Sequence, residues 1–181
     1  EYHPSNPPDF QVLLGLLGSE VRTAMPVENA DNGGQMAFTS VRNSNQDVFL
    51  CTVSPDQRGC QGQVRLTNIP ENDGQPVWSP DGSQVAFESD LDGDWEIYHI
   101  NANGSAQTRL TDNTAVDGAP SWAALSIGWH IAFHSNRDGD NFDIYLVDSR
   151  FPENITRLTR DPANERYPAI ARDGSRLAFT S

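Results

Sequence analysis

The chain has 181 residues, of which 36% are hydrophobic, with 14 Gly, 12 Pro and a formal net charge of −13. This composition is typical of a turn-rich, all-β protein. The negative charge argues against a surface that coats nucleic acid or anionic membranes, and favours cations and basic partners. No stretch of the sequence approaches the ~20 apolar residues that a membrane-spanning helix needs.

Residues 1–23 form an N-terminal arm that precedes the repeated part of the chain. A polar, proline-rich lead, EYHPSNPPD, is followed by two short β-rich runs at residues 10–14 and 20–23, separated by a glycine-containing turn. Runs of this kind predict two short strands. The side chains that we expect to matter in these strands are Phe10, Val12, Leu14 and Val21.

From residue 24 onward, one phrase recurs four times: MAFTS (36–40), VAFES (85–89), IAFHS (131–135) and LAFTS (177–181). The copies begin 49, 46 and 46 residues apart. A period of this length indicates one supersecondary unit used repeatedly. The predicted units cover about residues 24–67, 75–111, 119–159 and 167–181, and the last of them is partial.

The first unit contains the two cysteines of the chain, Cys51 and Cys60, nine residues apart on either side of SPDQRG. This segment is typical of a hairpin tip, which brings two strands within disulfide reach. We therefore predict a disulfide, which implies an oxidising compartment. The alternative is two free thiols in a reduced cytoplasm.

The second unit shows the internal order of the repeat most clearly. Short β-rich runs at 76–79, 84–89, 96–100 and 108–111 alternate with turn residues such as Pro-Asp-Gly and Asn-Gly. The unit is therefore predicted to be a four-stranded antiparallel meander. The third unit keeps this order but has AALSIG at the first turn. We expect the side chains at one shared position to pack between units: Trp78, Trp122 and Ile170.

The pattern P-x-W-S-P-D-G-x-x-(hydrophobic)-A-F-x-S-x-x-D-G-x-x-x-I-Y, followed by L-T, resembles the TolB-type β-propeller repeat. Residues 76–111 match it almost completely, and about four fifths of the chain takes part in the resemblance. The resemblance implies an all-β propeller of four-stranded blades. Members of the family include periplasmic proteins that bind protein partners, and propeller domains attached to peptidases or lyases. We expect this chain to have fewer than the six blades of TolB and no separate α/β domain.

Three full units and a half cannot close a ring without exposing strand edges, which proteins normally avoid. We predict a four-bladed propeller in which the N-terminal strands complete the last blade. These strands come either from the same chain, which gives a monomer, or from a neighbouring copy, which gives an oligomer or a filament. A further alternative is that more blades follow Ser181.

Two groups of acidic residues are candidate cation sites. Asp73, Asp117 and Glu165 each lie three residues before the leading proline of a unit. If the leading strands are innermost, these carboxylates meet at one mouth of the central channel, where Ca²⁺ would offset their repulsion. The alternative is that each acid caps its own turn.

The second group is a run of alternating carboxylates around a glycine, formed by Asp90, Asp92 and Asp94. Such a run resembles a calcium-binding loop, but it does not fit the twelve-residue consensus. A plain hairpin turn is the stronger interpretation of this segment.

Signatures of catalysis are missing from the sequence: it has no G-x-S-x-G, no H-E-x-x-H and no glycine-rich phosphate loop. We therefore predict a non-catalytic propeller that is secreted, periplasmic or on the cell surface. It would bind a protein partner or copies of itself. The alternative is a fragment or relative of a propeller enzyme, either a polysaccharide lyase or an accessory domain of a peptidase.

Overall fold

The computed structural model describes residues 21–27, 34–42, 44–53, 59–171 and 173–181. These residues form 14 β-strands and no helix. Accordingly, the described ranges contain no helix that is long and apolar enough to cross a membrane. The strands are β1 (Val21–Val27), β2 (Gln35–Arg42), β3 (Asn45–Val53), β4 (Cys60–Arg65), β5 (Asp73–Trp78), β6 (Gln84–Ser89), β7 (Glu96–Asn101), β8 (Thr108–Arg109), β9 (Asp117–Leu125), β10 (Gly128–Ser135), β11 (Asp143–Asp148), β12 (Phe151–Arg157), β13 (Arg166–Ile170) and β14 (Leu177–Thr180).

The strands form three four-stranded sheets, β1–β4, β5–β8 and β9–β12, and one two-stranded sheet, β13–β14. Within each sheet consecutive strands pair antiparallel, so the predicted meander is confirmed. The turn between β5 and β6 shows why β5 ends at Trp78. Asp81 accepts hydrogen bonds from the hydroxyls of Ser79 and Ser83, and Gly82 takes a left-handed φ of 72°.

The third sheet departs from the predicted strand bounds. Residues 123–125 continue β9, where Ala123 pairs with His130 and Leu125 pairs with Gly128 of β10. This segment lacks the Pro-Asp-Gly that ends the corresponding strand in the second unit. Gly128, with a φ of 125°, instead closes a two-residue turn.

Neighbouring sheets pack face to face and share their hydrophobic cores. Trp78 of the second sheet lies in one cluster with Ala37 and Val48 of the first. Trp122 of the third sheet lies in a second cluster with Ile97 of the second. The two tryptophans are 6% and 5% exposed, which confirms that they pack between units.

The predicted disulfide between Cys51 and Cys60 is present, with a Cα–Cα distance of 5.6 Å. Cys51 lies in β3 and Cys60 opens β4, so the bond joins the two outer strands of the first sheet. Cys51 is buried beside Met36 and Phe38, and the disulfide therefore also closes one end of that core cluster.

The structure corrects the prediction for Val21. This residue lies in β1 and pairs with Ser40 of β2, so it belongs to the first sheet and does not complete the last one. The strand runs on to Val27, opposite Gln35, and gives the first unit its own leading strand. That unit thus begins at Val21 rather than at residue 24. Phe10, Val12 and Leu14 lie outside the described residues.

Candidate functional site

Each four-stranded sheet carries the same ion pair between its third and fourth strands. A buried acid near the start of the third strand accepts from an arginine at the end of the fourth strand, or just inside it. The pairs are Asp47–Arg65 (2.7 Å), Glu96–Arg109 (3.0 Å) and Asp143–Arg157 (2.6 Å). The threonine two residues after each arginine accepts a backbone N–H of the third strand; these residues are Thr67, Thr111 and Thr159. The repeated R-L-T therefore holds each sheet together.

The acidic turn after β6 uses its carboxylates separately. Asp90 accepts the backbone N–H of Asn72 at 2.6 Å. Asp92 accepts the hydroxyl of Tyr98 at 2.7 Å and pairs with an arginine of β8 at 2.9 Å. Asp94 forms no ion pair within the described residues. These contacts are those of a hairpin turn, and a calcium ion at Asp90, Asp92 and Asp94 stays a prediction.

The three acids predicted at the channel mouth are buried, at 0% exposure for Asp73 and Asp117 and 5% for Glu165. Each lies at or just before the first residue of an inner strand, as expected. In the part of the chain that the structure describes, no three His, Cys, Asp or Glu side chains are grouped so that they could hold a metal ion. A cation shared by these three carboxylates thus stays a prediction.

The inner strands of three sheets carry one identical irregularity. Gln75, Ala119 and Tyr167 have left-handed φ values of 48°, 52° and 53°, and each directly precedes the proline of its strand. Non-glycine residues rarely adopt this conformation, and surrounding contacts must hold it. Together with the prolines that follow them, these residues line a cavity of about 130 Å³.

Two side chains of the repeated phrase hold these left-handed residues across the sheet boundaries. Glu88 of β6 accepts the backbone N–H of Ala119 at 2.9 Å, and His134 of β10 accepts that of Tyr167 at 3.4 Å. Gln75 also donates its side-chain amide to Glu88 at 3.1 Å. We call the two contacts that cross a sheet boundary, Ala119 to Glu88 and Tyr167 to His134, the inter-sheet clasps. Sequence reasoning missed them, although the fourth letter of the phrase is polar in all four copies.

Burial shifts the pKa of both clasp side chains. It raises the pKa of Glu88, against the opposing effect of the hydrogen bonds from Ala119 and Gln75. Burial, with a smaller contribution from the charge of Arg166, lowers the pKa of His134 to about 4. The imidazole is therefore neutral at pH 7, and because Nδ1 accepts a hydrogen bond, its proton lies on Nε2.

The clasps leave no room for a side chain at Gly118 of β9. A Cβ atom at Gly118 would lie 2.7 Å from Oε2 of Glu88 and 3.1 Å from Nε2 of His134. Among the described residues, neither histidine with a polar ring contact is bonded to a serine or cysteine. In the described ranges, this boundary therefore places polar side chains beside the apolar prolines of the inner strands.

A second cavity, of about 370 Å³, lies at the boundary of the second and third sheets. Its basic side chains are Arg109 and Arg137, which already pair with Glu96 and Asp117. The arginines of this cavity therefore already have acidic partners and supply no free positive charge that would select an anionic ligand.

The last sheet has an open edge within the described residues. β13 packs beside β9, where Ile170 donates its N–H to Ser121 at 3.0 Å, and β14 pairs only with β13. The phrase in β14 is consequently uncovered: Phe179 is 39% exposed, whereas the equivalent Phe87 and Phe133 are 0% exposed. This edge is the largest difference between the last unit and the others.

The family model of the TolB beta propeller domain matches residues 19–149 of the chain. Among curated proteins, the Tol-Pal system protein TolB of Anaeromyxobacter dehalogenans (strain 2CP-C) is 34% identical over 112 residues, which cover 62% of this chain and 24% of that protein. The uncharacterized peptidase YuxL of Bacillus subtilis (strain 168) is 24% identical over 186 residues, which cover 84% of this chain and 28% of the relative. The chain thus spans about a quarter of the length of these relatives.

Among solved structures, the putative TolB from Agrobacterium tumefaciens superposes with a TM-score of 0.68 at 22% identity, over 80% of this chain and 49% of that one. A puromycin-hydrolyzing peptidase of Mycobacterium tuberculosis superposes with a TM-score of 0.65 at 14% identity, over 87% of this chain and 24% of that one. These likenesses establish the β-propeller fold. The chain belongs to the TolB β-propeller domain family.

Proposed function

We propose that this chain is a non-catalytic, extracytoplasmic propeller module that works by binding protein, and that the free edge of β14 is its docking site. The occupant is the strand of the N-terminal arm at residues 10–14, from the same chain or from a second copy. The observation that carries the proposal is the exposure of Phe179, whose equivalents Phe87 and Phe133 are fully buried in the second and third units.

An edge strand presents a row of unpaired backbone N–H and C=O groups, which a further strand can pair with. In the complete sheets the third strand covers this edge, so that Phe87 stacks against Tyr98 with ring centroids 5.8 Å apart. Phe133 stacks against Tyr145 at the same distance. A strand added to β14 would cover Phe179 in the same way.

The arm suits this role because it contains an apolar run within reach of strand length. Residues 10–14 read Phe-Gln-Val-Leu-Leu and follow a polar lead with three prolines. Twenty residues precede β1, which is enough chain for one strand and a connection. An arm from the same chain gives a monomer, and exchange between copies gives a closed oligomer or a head-to-tail filament.

Two further observations support protein binding outside the cytoplasm. The relative from A. dehalogenans is a component of the Tol-Pal system by its name. The disulfide between Cys51 and Cys60 fits an oxidising compartment, where such bonds persist.

The experiment uses the full chain and a variant that lacks residues 1–20, which leaves β1 intact. The native mass of the full chain, measured by light scattering, separates closure within one chain from exchange between copies. A peptide of residues 1–20 should bind the shortened variant, and Phe179→Asp should weaken that binding at least about tenfold.

Val12→Pro in the peptide serves as the blocking change, because proline has no N–H for a strand ladder. Asn6→Pro, in the polar lead, is its matched control and should bind like the native peptide. If the peptide does not bind the shortened variant, or if Phe179→Asp leaves binding unchanged, β14 is not the docking edge for the arm.

A second candidate, a propeller accessory domain of an enzyme, is favoured by one observation: the similarity to the peptidase YuxL over 84% of this chain. It predicts hydrolysis of aminoacyl or peptide substrates only when the chain is joined to a catalytic domain. Turnover of a chromogenic aminoacyl substrate, or of an acidic polysaccharide, by this chain alone would overturn the non-catalytic proposal.

A further inference from the structure

The internal repeat allows the buried acids at one position of the second and third units to be compared, and Asp73 differs from Asp117. Asp117, at the same position of the third unit, accepts hydrogen bonds through Oδ2 from Arg137 at 2.6 Å and from Asn113 at 2.8 Å. Asp73 is equally buried, at 0% exposure, yet neither of its carboxylate oxygens has a hydrogen-bond partner among the described residues.

The sequence explains this difference. Counted from the repeated phrase, Leu91 stands where the third unit has Arg137. Counted from the threonine after the fourth strand, Ile69 stands where the third unit has Asn113. Both donors have become aliphatic, and the carboxylate has been kept.

The charges at the two sheet boundaries differ accordingly. Between the second and third sheets, Glu96 and Asp117 face the guanidinium groups of Arg109 and Arg137. Between the first and second sheets, the ion pairs of the described residues give Asp47 and Asp73 only Arg65. One positive charge is therefore missing at this boundary, and an isolated buried carboxylate is costly.

The groups around Asp73 are oxygens. Ser89 lies opposite Asp73 in the strand ladder, and its hydroxyl and that of Thr67 lower the pKa of Asp73. The charges of Asp47 and Asp90 raise it. Asn45 donates its amide to Asp47 at 3.4 Å, and its own carbonyl oxygen is buried without a donor among the described residues. Carboxylate, hydroxyl and amide oxygens are the ligands that hard cations prefer.

We propose that one hard cation of the Ca²⁺ class binds at Asp73, between the first and second sheets, and supplies the charge that Arg137 supplies at the next boundary. In this proposal Asp47 and the hydroxyls of Thr67 and Ser89 complete the oxygen surroundings of the cation. This site differs from a channel-mouth site, because each boundary is served separately and Asp117 already has its own cationic partner.

Below about pH 6, a proton competes with the cation for the carboxylate of Asp73. Burial raises the pKa of Asp73 to about 6, against the opposing effect of the nearby hydroxyls. At pH 7.5 a carboxylate without a cation would be charged and would destabilise the folded chain, whereas a bound cation would stabilise it. Asp73→Asn should therefore raise the melting temperature if the carboxylate has no cation, and lower it if a cation is bound.

The test is calorimetric titration of the full chain with CaCl₂ at pH 7.5 and fixed ionic strength, together with thermal unfolding with and without EDTA. We expect one saturable site and a higher melting temperature with Ca²⁺. Asp73→Asn should weaken binding at least about tenfold and remove the shift in melting temperature. Asp81→Asn, which removes an exposed turn carboxylate of the same sheet, is the matched control and should keep both.

Leu91→Arg provides an independent check, because it restores the guanidinium of the third unit. It should remove Ca²⁺ binding while the melting temperature without Ca²⁺ stays the same or rises. A second titration, with NaCl replacing a tetramethylammonium salt, distinguishes a monovalent from a divalent occupant. If neither ion shifts the melting temperature, or if Asp73→Asn binds Ca²⁺ like the native chain, the proposal is overturned.

Discussion

The backbone N–H of Tyr167 donates to Nδ1 of His134 across 3.4 Å and joins two residues that lie 33 positions apart in the chain. This contact ties the last sheet to the third. Its counterpart, from Ala119 to Glu88, ties the third sheet to the second. Both depend on an acceptor that stays uncharged or satisfied while buried, and both can therefore be tested by changing pH or the acceptor.

The clasp at His134 should make stability depend on pH. Burial and Arg166 lower the pKa of this imidazole to about 4, whereas Asp117 partly opposes them. Because the unfolded chain binds the proton more tightly, with a pKa near 6.5, the contribution of His134 is fully present above that value. It is lost as the pH falls towards 4, by about 3 kcal/mol at 1.36 kcal/mol per pKa unit. Urea unfolding at pH 7.5, 5.5 and 4.5 measures this loss.

His134→Gln is the control for that measurement, because its side chain does not titrate and its oxygen can accept the same N–H. The carboxylates of the chain titrate in both proteins, so only the difference between them reports on the imidazole. Equal acid sensitivity of the two proteins would contradict the assignment of a neutral, buried His134.

The clasp at Glu88 should tolerate loss of charge but not loss of its oxygens. Glu88→Ala leaves the N–H of Ala119 and the amide of Gln75 without an acceptor, and a stranded buried donor costs about 1–3 kcal/mol. Glu88→Gln keeps an acceptor and removes a charge that burial disfavours, so it should cost less. Denaturant unfolding of the two variants at pH 7.5 gives the comparison, and equal losses would argue against the clasp.

Gly118→Ala should destabilise the boundary between the second and third sheets by about 1–3 kcal/mol, since the new methyl group would press on Glu88 and His134. Gly139→Ala is a suitable control: a Cβ atom there meets its nearest neighbour, in Asn141, at 3.6 Å. Thermal unfolding of both variants measures the effect. A control as damaging as Gly118→Ala would show that crowding at the clasp is not the cause.

Reduction of the disulfide between Cys51 and Cys60 should lower stability by about 2–3 kcal/mol, because the bond closes a short loop in the unfolded chain. Urea unfolding with and without a reductant measures the loss. Cys51→Ala with Cys60→Ala should match the reduced protein and be insensitive to reductant. A native chain whose unfolding midpoint ignores reductant would contradict a stabilising role.

Local features of the fold could be predicted from the sequence, because turn chemistry sets strand ends. β6 runs from Gln84 to Ser89 as predicted, between Pro-Asp-Gly and the acidic turn. Trp78 and Trp122 could also be placed, since one repeat position must face a neighbouring sheet. β9 is longer than predicted, because residues 123–125 contain neither Pro nor Asp-Gly and continue the strand.

Contacts between units were harder to predict, because spacing within one repeat says nothing about the register between two. The repeat placed Asp73 and Asp117 at equivalent positions, but only the structure shows that one has an arginine partner and the other does not. The sequence likewise could not predict that Glu88 and His134 accept backbone N–H groups, because their donors are left-handed residues of the following sheets. The pairing of Val21 was missed for the same reason.

The inter-sheet clasps all point the same way along the chain: a side chain on the second strand of one sheet grips the backbone of the sheet that comes next. Each boundary between sheets therefore has an acceptor on one side, a side chain of the second strand, and a donor on the other, a backbone N–H of the next sheet. The two sides are not interchangeable. A blade added at such a boundary therefore makes a heterologous contact, in which the acceptor of one sheet meets the backbone donor of the next. A two-fold, isologous pairing of two copies does not form through this contact.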